Sequence, residues 1–226
     1  MGSPGDPNAR GPWYDRGEPV LSRRFEQALV YAAKLHAKQL RKGTPVPYVA
    51  HLLAVAGLVL EHGATEDETI AALLHDAVED QGGLRTLAAI RRRFGPAVAD
   101  IVLACSDTAS DPKPPWRERK EAYLSHLQGA SRSVLLVSAA DKLHNARSTV
   151  ADLRVRGAAV WERFRAGPAE QLWYYDALVA TFLRLGPKPI AVELSRVVAE
   201  MHALSRPRAT RRSSPATRRR ATRASR

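Results

Sequence analysis

Apolar residues recur at helical spacing along most of the chain, and short clusters of glycine, proline and polar residues divide them into helix-sized segments. The run "SRRFEQALVYAAKLHAKQ", residues 22–39, sets Phe25, Leu29, Ala32 and Ala33 on one face, and "GTPVPY" then breaks the pattern. A second helix is predicted over about 49–62, closed by Gly63. Thr65 and Glu68 form a capping box for a third, over about 66–78, which "DQGG" stops. "LRTLAAIRRRFG" ends at Gly95, and Pro96 opens "PAVADIVLACSD". "TASDPKPPW" reads as a loop, and further helices are predicted over about 116–129, 132–153, 157–164, 168–185 and 190–204. No convincing strand and no internal repeat appears. The pattern therefore predicts an all-α fold in a single domain over 18–205, with a disordered leader at 1–17 and a disordered basic tail at 206–226.

Composition changes this picture in three places. The formal charge is +12, but the nine arginines of the last 22 residues supply most of it, which leaves +3 for the rest. The basic character is thus a property of the tail, read as a solvating extension or a nonspecific nucleic-acid tether that acts by counterion release. One cysteine, Cys105, excludes an intrachain disulfide and a thiolate metal cluster, fits a reducing cytoplasmic setting, and reads as a small core residue. No apolar run approaches the roughly 20 residues of a membrane span. The leader also lacks the apolar segment of a secretory signal.

The candidate chemistry lies in "LLHDAVED", residues 73–80, one histidine and three carboxylates directly after the apolar "TIAALL". His75 and Glu79 are four apart, as are Asp76 and Asp80, so on one helix the pairs form two neighbouring stripes. Close carboxylates repel unless a cation or proton sits among them. Two further polar residues occupy places where core residues are expected: His51 in "YVAHLLAVAG" and Asp141 in "VSAADKLHNA". A lone histidine on an apolar helix is more often a satisfied core residue. His51, His75, Asp76 and Asp141 together make two imidazoles and two carboxylates, a donor set suited to Mn²⁺, Fe²⁺ or another six-coordinate divalent ion rather than a closed zinc site.

The order His51, His75-Asp76, Asp141 resembles the signature of the HD-domain metal-dependent phosphohydrolases. "AALLHDAVED", "SAADKLHNARS" and the upstream "QLRKGTPVPYVAH" are similar, more narrowly, to the hydrolase domain of the Rel/Spo alarmone enzymes, over about residues 22–185. The resemblance implies an HD-domain helical bundle and a stand-alone hydrolase. It would remove the 3′-pyrophosphate of guanosine tetra- or pentaphosphate with one divalent ion, usually Mn²⁺. It further implies that Glu79 and Asp80 form the catalytic pair, that Arg41, Lys42 and Asn145 contact the nucleotide, and that Tyr174 faces it. Lys142 and Arg147 are expected near the phosphates, and Arg119 and Lys120 on the loop side. The sequence departs from the family at Leu52, where proline is usual, and at Gly43, where an acid usually follows the basic pair. His36, His62, His126, His144 and His202 are assigned no site role. Two other readings stand beside this one: an HD-type phosphohydrolase acting on a deoxynucleotide, a 5′-monophosphate or the 2′-phosphate of NADPH, and a non-catalytic nucleotide-binding protein.

Overall fold

The computed structural model describes residues 21–106 and 114–206. The leader at 1–17, most of the "TASDPKPPW" loop, and the tail beyond Arg206 lie outside the described residues. The described residues fold into ten α-helices: α1 (Arg23–Leu35), α2 (Val49–Glu61), α3 (Glu66–Leu74), α4 (Ala77–Asp80), α5 (Gly83–Phe94), α6 (Pro96–Cys105), α7 (Trp116–Leu127), α8 (Arg132–Arg156), α9 (Pro168–Leu185) and α10 (Lys188–Ser205). A 3₁₀ segment, Gly157–Arg163, joins α8 to the approach of α9. Among the described residues the sole extended pairing is an isolated bridge between Leu40 and Pro47, so the fold is all-α as the periodicity predicts. No helix in them is long and apolar enough to cross a membrane.

α8 is the axis. Residues 134–141 are buried without interruption, so this stretch is covered on every side rather than along one stripe. It packs against α2, α3, α6, α9, α10 and the 3₁₀ segment. α3 is buried from Glu68 to Leu74 and sits between α1, α2, α6 and α8. Burying the charged Glu68 requires full pairing. The Thr65–Glu68 box provides part of it, with Thr65 N donating to Glu68 Oε2 at 2.7 Å, and the Ser133 hydroxyl of α8 donates to Oε1 at 2.7 Å. The cap thus also ties α3 to α8. Arg24 of α1 holds the same corner, pairing with Glu66 and Asp67 and donating to the Phe94 carbonyl. Cys105 is buried at the end of α6, 3.6 Å from Ser138 Oγ, and burial pushes its thiol up to about 11.

Two expected helices differ in ways that matter. The first ends at Leu35 instead of running to residue 39, because the chain turns at His36 and Gln39 N donates to the His36 carbonyl at 3.0 Å. The third does not run unbroken over 66–78. It stops at Leu74, and Asp76, at φ −93° and ψ −2°, separates α3 from α4. The physical cause is local. The Ala72 carbonyl, which a continuing helix would offer to the Asp76 amide, accepts from His75 Nδ1 at 2.8 Å. The stripe reading is corrected for 75/79, which straddles the break, whereas 76/80 keeps one helical turn, with Asp80 N donating to the Asp76 carbonyl at 2.9 Å. The segment at 157–164 forms the 3₁₀ turn, and the last helix starts two residues early, at Lys188.

Candidate metal centre and nucleotide cleft

The break at His75–Asp76 points both side chains toward α2 and α8. His51, on the first turn of α2, and Asp141, midway along α8, reach the same point from the other side. His75 Nε2 lies 2.9 Å from Asp76 Oδ2 and 3.6 Å from Asp141 Oδ1. His51 Nε2 lies 3.2 Å from Asp141 Oδ1 and 3.5 Å from Asp76 Oδ2. Each His51, His75 and Asp141 ligand atom falls within 4.8 Å of the others, a group that could hold a metal ion. Both Nε2 atoms are buried, and neither makes a hydrogen bond of proper geometry. Buried nitrogens are rarely left so. Lone pairs converging with two carboxylates fit a divalent cation.

Each of the four groups is oriented by a neighbour. The His75–Ala72 bond fixes a proton on Nδ1 and turns Nε2 inward; burial opposes charge on this ring, but Asp76 and Asp141 hold it well above the ordinary histidine range, and a bound cation would take the place of the second proton. His51 Nδ1 lies 2.8 Å from His144 Nδ1. Burial, followed by the nearby His51 and Arg41, lowers His144 to about 4, so it is a neutral ring able to accept from His51. The Tyr48 hydroxyl donates to Asp76 Oδ2 at 2.5 Å, and burial together with the Asp76 carboxylate holds this phenol well above its ordinary range. Lys142 Nζ and Asn145 Nδ2 donate to Asp141 at 2.6 and 2.5 Å. Burial opposes ionisation of the aspartates, but the cations and donors outweigh it. His75 holds Asp76 well below the usual carboxylate range, and Lys142 with His75 does the same for Asp141.

A cleft of about 650 Å³ opens from His51. Of the expected nucleotide residues it is lined by Arg41, Lys42, Lys142, Asn145 and Tyr174, with Lys120 and Asp80 also on its wall. Arg41 lies 5.6 Å over the Tyr48 ring and donates to Asn145 Oδ1 at 2.6 Å, and Lys120 lies 4.9 Å over the Tyr174 ring. Arg147 turns away from the cleft and pairs with Glu193 of α10. Glu79 is half-buried next to Asp80 and is not among the cleft-lining residues, nor is Arg119, whose Nε donates to the Pro114 carbonyl. Several lining residues were not singled out by sequence: Gln39, Tyr48, Trp116, Asp152 and Arg163; His144, assigned no site role from sequence, lines the cleft as well. His144 carried a signal, since Asp141, His144 and Asn145 share one face of α8 at i, i+3 and i+4. Asp152 and Arg163 carried none, because a 3₁₀ segment brings them together.

The all-helical bundle and its histidine–aspartate centre define a class, and comparison with known proteins names it: residues 28–167 match the HD domain, and the chain belongs to that family. Within it, the chain is 30% identical over 181 residues to the bifunctional (p)ppGpp synthase/hydrolase SpoT of Escherichia coli K12, an alignment covering 77% of this chain and 24% of SpoT. It is 35% identical over 131 residues to a probable GTP pyrophosphokinase of Mycobacterium leprae, covering 57% and 16%. The chain thus spans a quarter or less of these relatives. A solved metazoan SpoT orthologue, described as hydrolysing ppGpp, superposes with a TM-score of 0.66 at 26% identity, over 80% of this chain and 97% of that one. A Listeria monocytogenes protein superposes at 0.60 with 30% identity, over 68% and 99%.

Proposed function

We propose that this protein is a metal-dependent hydrolase that removes the 3′-pyrophosphate of guanosine tetra- or pentaphosphate, giving GDP or GTP and pyrophosphate. The observation that carries the reading is one arrangement: a histidine–aspartate centre that reaches, through His51, a cleft bearing Arg41, Lys42, Lys120, Lys142 and Arg163. Five cations against Asp80 and Asp152 suit a substrate carrying two diphosphates. Relatives named for this hydrolysis share the fold nearly end to end in the metazoan case.

His51, His75, Asp76 and Asp141 would hold one divalent ion, Mn²⁺ by the resemblance, with Fe²⁺ compatible with the same donors. When bound, the ion supplies charge neutralisation and a water of lowered pKa. The protein's own groups do the rest. Arg41 and Lys42 hold the nucleotide at the cleft mouth, Arg41 by stacking on the base and Lys42 as a point charge for phosphate. Asn145, between Arg41 and Asp141, places the ribose end against the centre, and Tyr174 faces the nucleotide across the cleft. Lys142 meets the 3′-diphosphate. Water attacks the phosphorus bonded to O3′, the P–O3′ bond breaks, and O3′ takes up a proton as pyrophosphate leaves. Glu79 and Asp80 serve the proton transfers. With a buried free thiol at Cys105, a reducing cytoplasmic setting suits the chain.

The test is a nucleotide panel with purified protein and Mn²⁺: guanosine 3′,5′-bis(diphosphate), deoxynucleoside triphosphates, 5′-monophosphates and NADPH. Pyrophosphate release from the first is the expected result. Hydrolysis of one of the others, with none of the first, would reassign the substrate. Tight binding of the first without turnover would make the protein a nucleotide-binding module.

A further inference from the structure

We propose that Gln39 is a positioning residue for Asp80, holding that carboxylate as a fixed hydrogen-bond acceptor beside the reacting phosphate; the inference rests on the hydrolase reading above. Asp80 is exposed at the end of the four-residue α4, a place where a short acidic side chain samples several rotamers. Its Oδ2 accepts from Gln39 Nε2 at 2.8 Å. Both residues line the cleft.

The orientation of the Gln39 amide follows from its other contacts. An ionised carboxylate only accepts, so the nitrogen of Gln39 faces Asp80. The oxygen is then left to two donors. His36 Nδ1 lies 2.6 Å from Gln39 Oε1, and Gln81 Nε2 donates to the same atom at 2.6 Å. Both lone pairs of Oε1 are engaged, so a flip of the amide would break three bonds at once. The His36 proton must lie on Nδ1, which leaves its buried Nε2 without a partner.

The backbone beneath Gln39 is fixed too. Its amide donates to the His36 carbonyl at 3.0 Å, and its carbonyl accepts from Tyr48 N at 2.9 Å beside the Leu40–Pro47 bridge. His36 itself is buried and stacks on Tyr48, with ring centroids 5.3 Å apart and planes 15° apart. Tyr48 is the residue that donates to Asp76. The turn after α1 therefore braces two things through adjacent side chains: Asp76 through Tyr48, and Asp80 through Gln39. This gives the early end of α1 a purpose, since a helix running on through residue 39 would carry Gln39 past the turn and away from Asp80.

The experiment is a double-mutant cycle on whichever panel nucleotide the wild type hydrolyses, with kcat, KM and bound Mn²⁺ read for wild type, Gln39→Met, Asp80→Asn and the double variant. Gln39→Met should lower kcat by roughly 10- to 100-fold, the scale of a misplaced catalytic group. KM and metal content should stay at wild-type values. In the Asp80→Asn background the same change should cost nothing further, because its effect passes through Asp80. A Gln39→Met loss that persists undiminished beside Asp80→Asn overturns the positioning role and leaves the hydrolase reading standing. A wild type that hydrolyses nothing in the panel overturns both. If Gln39→Met does not fold, Gln39→Glu carries the test: it can still accept from His36 and Gln81 but has no donor for Asp80, and unchanged kcat there overturns the inference.

Discussion

His51 and His144 meet ring to ring, with Nδ1 facing Nδ1 at 2.8 Å. One nitrogen must donate and the other accept, and the neutral His144 is placed to accept. That leaves the His51 proton on Nδ1 and its Nε2 lone pair directed at Asp141 and Asp76. His144→Ala should therefore weaken Mn²⁺ binding by about 10- to 100-fold, the usual cost of losing a partner behind a metal-bound imidazole. Competition with a chromogenic chelator measures it. Unchanged Mn²⁺ affinity would remove His144 from the centre.

Asp141 is held by Lys142 and Asn145, so its removal takes a carboxylate partner from a half-buried lysine as well as leaving an incomplete centre. Asp141→Ala and Asp76→Ala should each lose bound metal and turnover together. Chelator treatment of the wild type should reproduce the loss, and Mn²⁺ should reverse it in the wild type but in neither variant. Full activity of chelated, metal-free wild type would rule out the metal-dependent reading.

The sequence made the helices legible because glycine, proline and capping residues mark their ends. α9 falls on its expected limits, Pro168–Leu185, with Pro168 at its start and Gly186 at its stop. It also exposed the four polar residues of the centre, since His51 and Asp141 stand in otherwise apolar runs that pack into one core. Two kinds of feature stayed hidden. The break at Asp76 arises from a side-chain bond to the Ala72 carbonyl, which helical periodicity does not register. The Gln39 contacts join residues some 40 positions apart through amides that carry no charge and so leave no mark on a pattern of apolar and charged positions. Arg147, a cation near the motif in sequence, pairs with Glu193, a partner that sequence proximity does not reveal.

Glu79 and Asp80 adjoin in sequence but differ in setting, Asp80 on the cleft wall and Glu79 half-buried behind it. If both serve proton transfer, Glu79→Gln and Asp80→Asn should each keep metal and nucleotide binding while kcat falls by about 10²- to 10⁴-fold. Single-turnover assays alongside equilibrium nucleotide binding separate the two effects. Near-normal turnover of Glu79→Gln would leave Asp80 as the sole acid–base carboxylate.

Gly43 follows the basic pair Arg41–Lys42, and its surroundings explain the glycine. It has φ +71°, and a Cβ there would lie 2.9 Å from Arg163 Cδ and 3.3 Å from Cγ. Arg163 is not free to retreat without cost: its guanidinium pairs with Asp152 at 2.6 Å and lies 5.1 Å over the Phe164 ring. The basic turn Arg41–Lys42 and the 3₁₀ segment are thus packed against each other through this glycine, and both line the cleft. Gly43→Ala should cost about 1–3 kcal/mol from the left-handed backbone and the displaced arginine. That corresponds to a Tm lower by roughly 2–10 °C for a domain of this size. Gly43→Asp should recover part of the loss, because aspartate tolerates this backbone region better and can pair with Arg163. The same pairing draws Arg163 from the cleft, so Gly43→Asp should raise KM for the nucleotide more than Gly43→Ala does. Thermal unfolding and KM for the two variants check both halves, and equal Tm for wild type and Gly43→Ala would show that Arg163 moves aside without penalty.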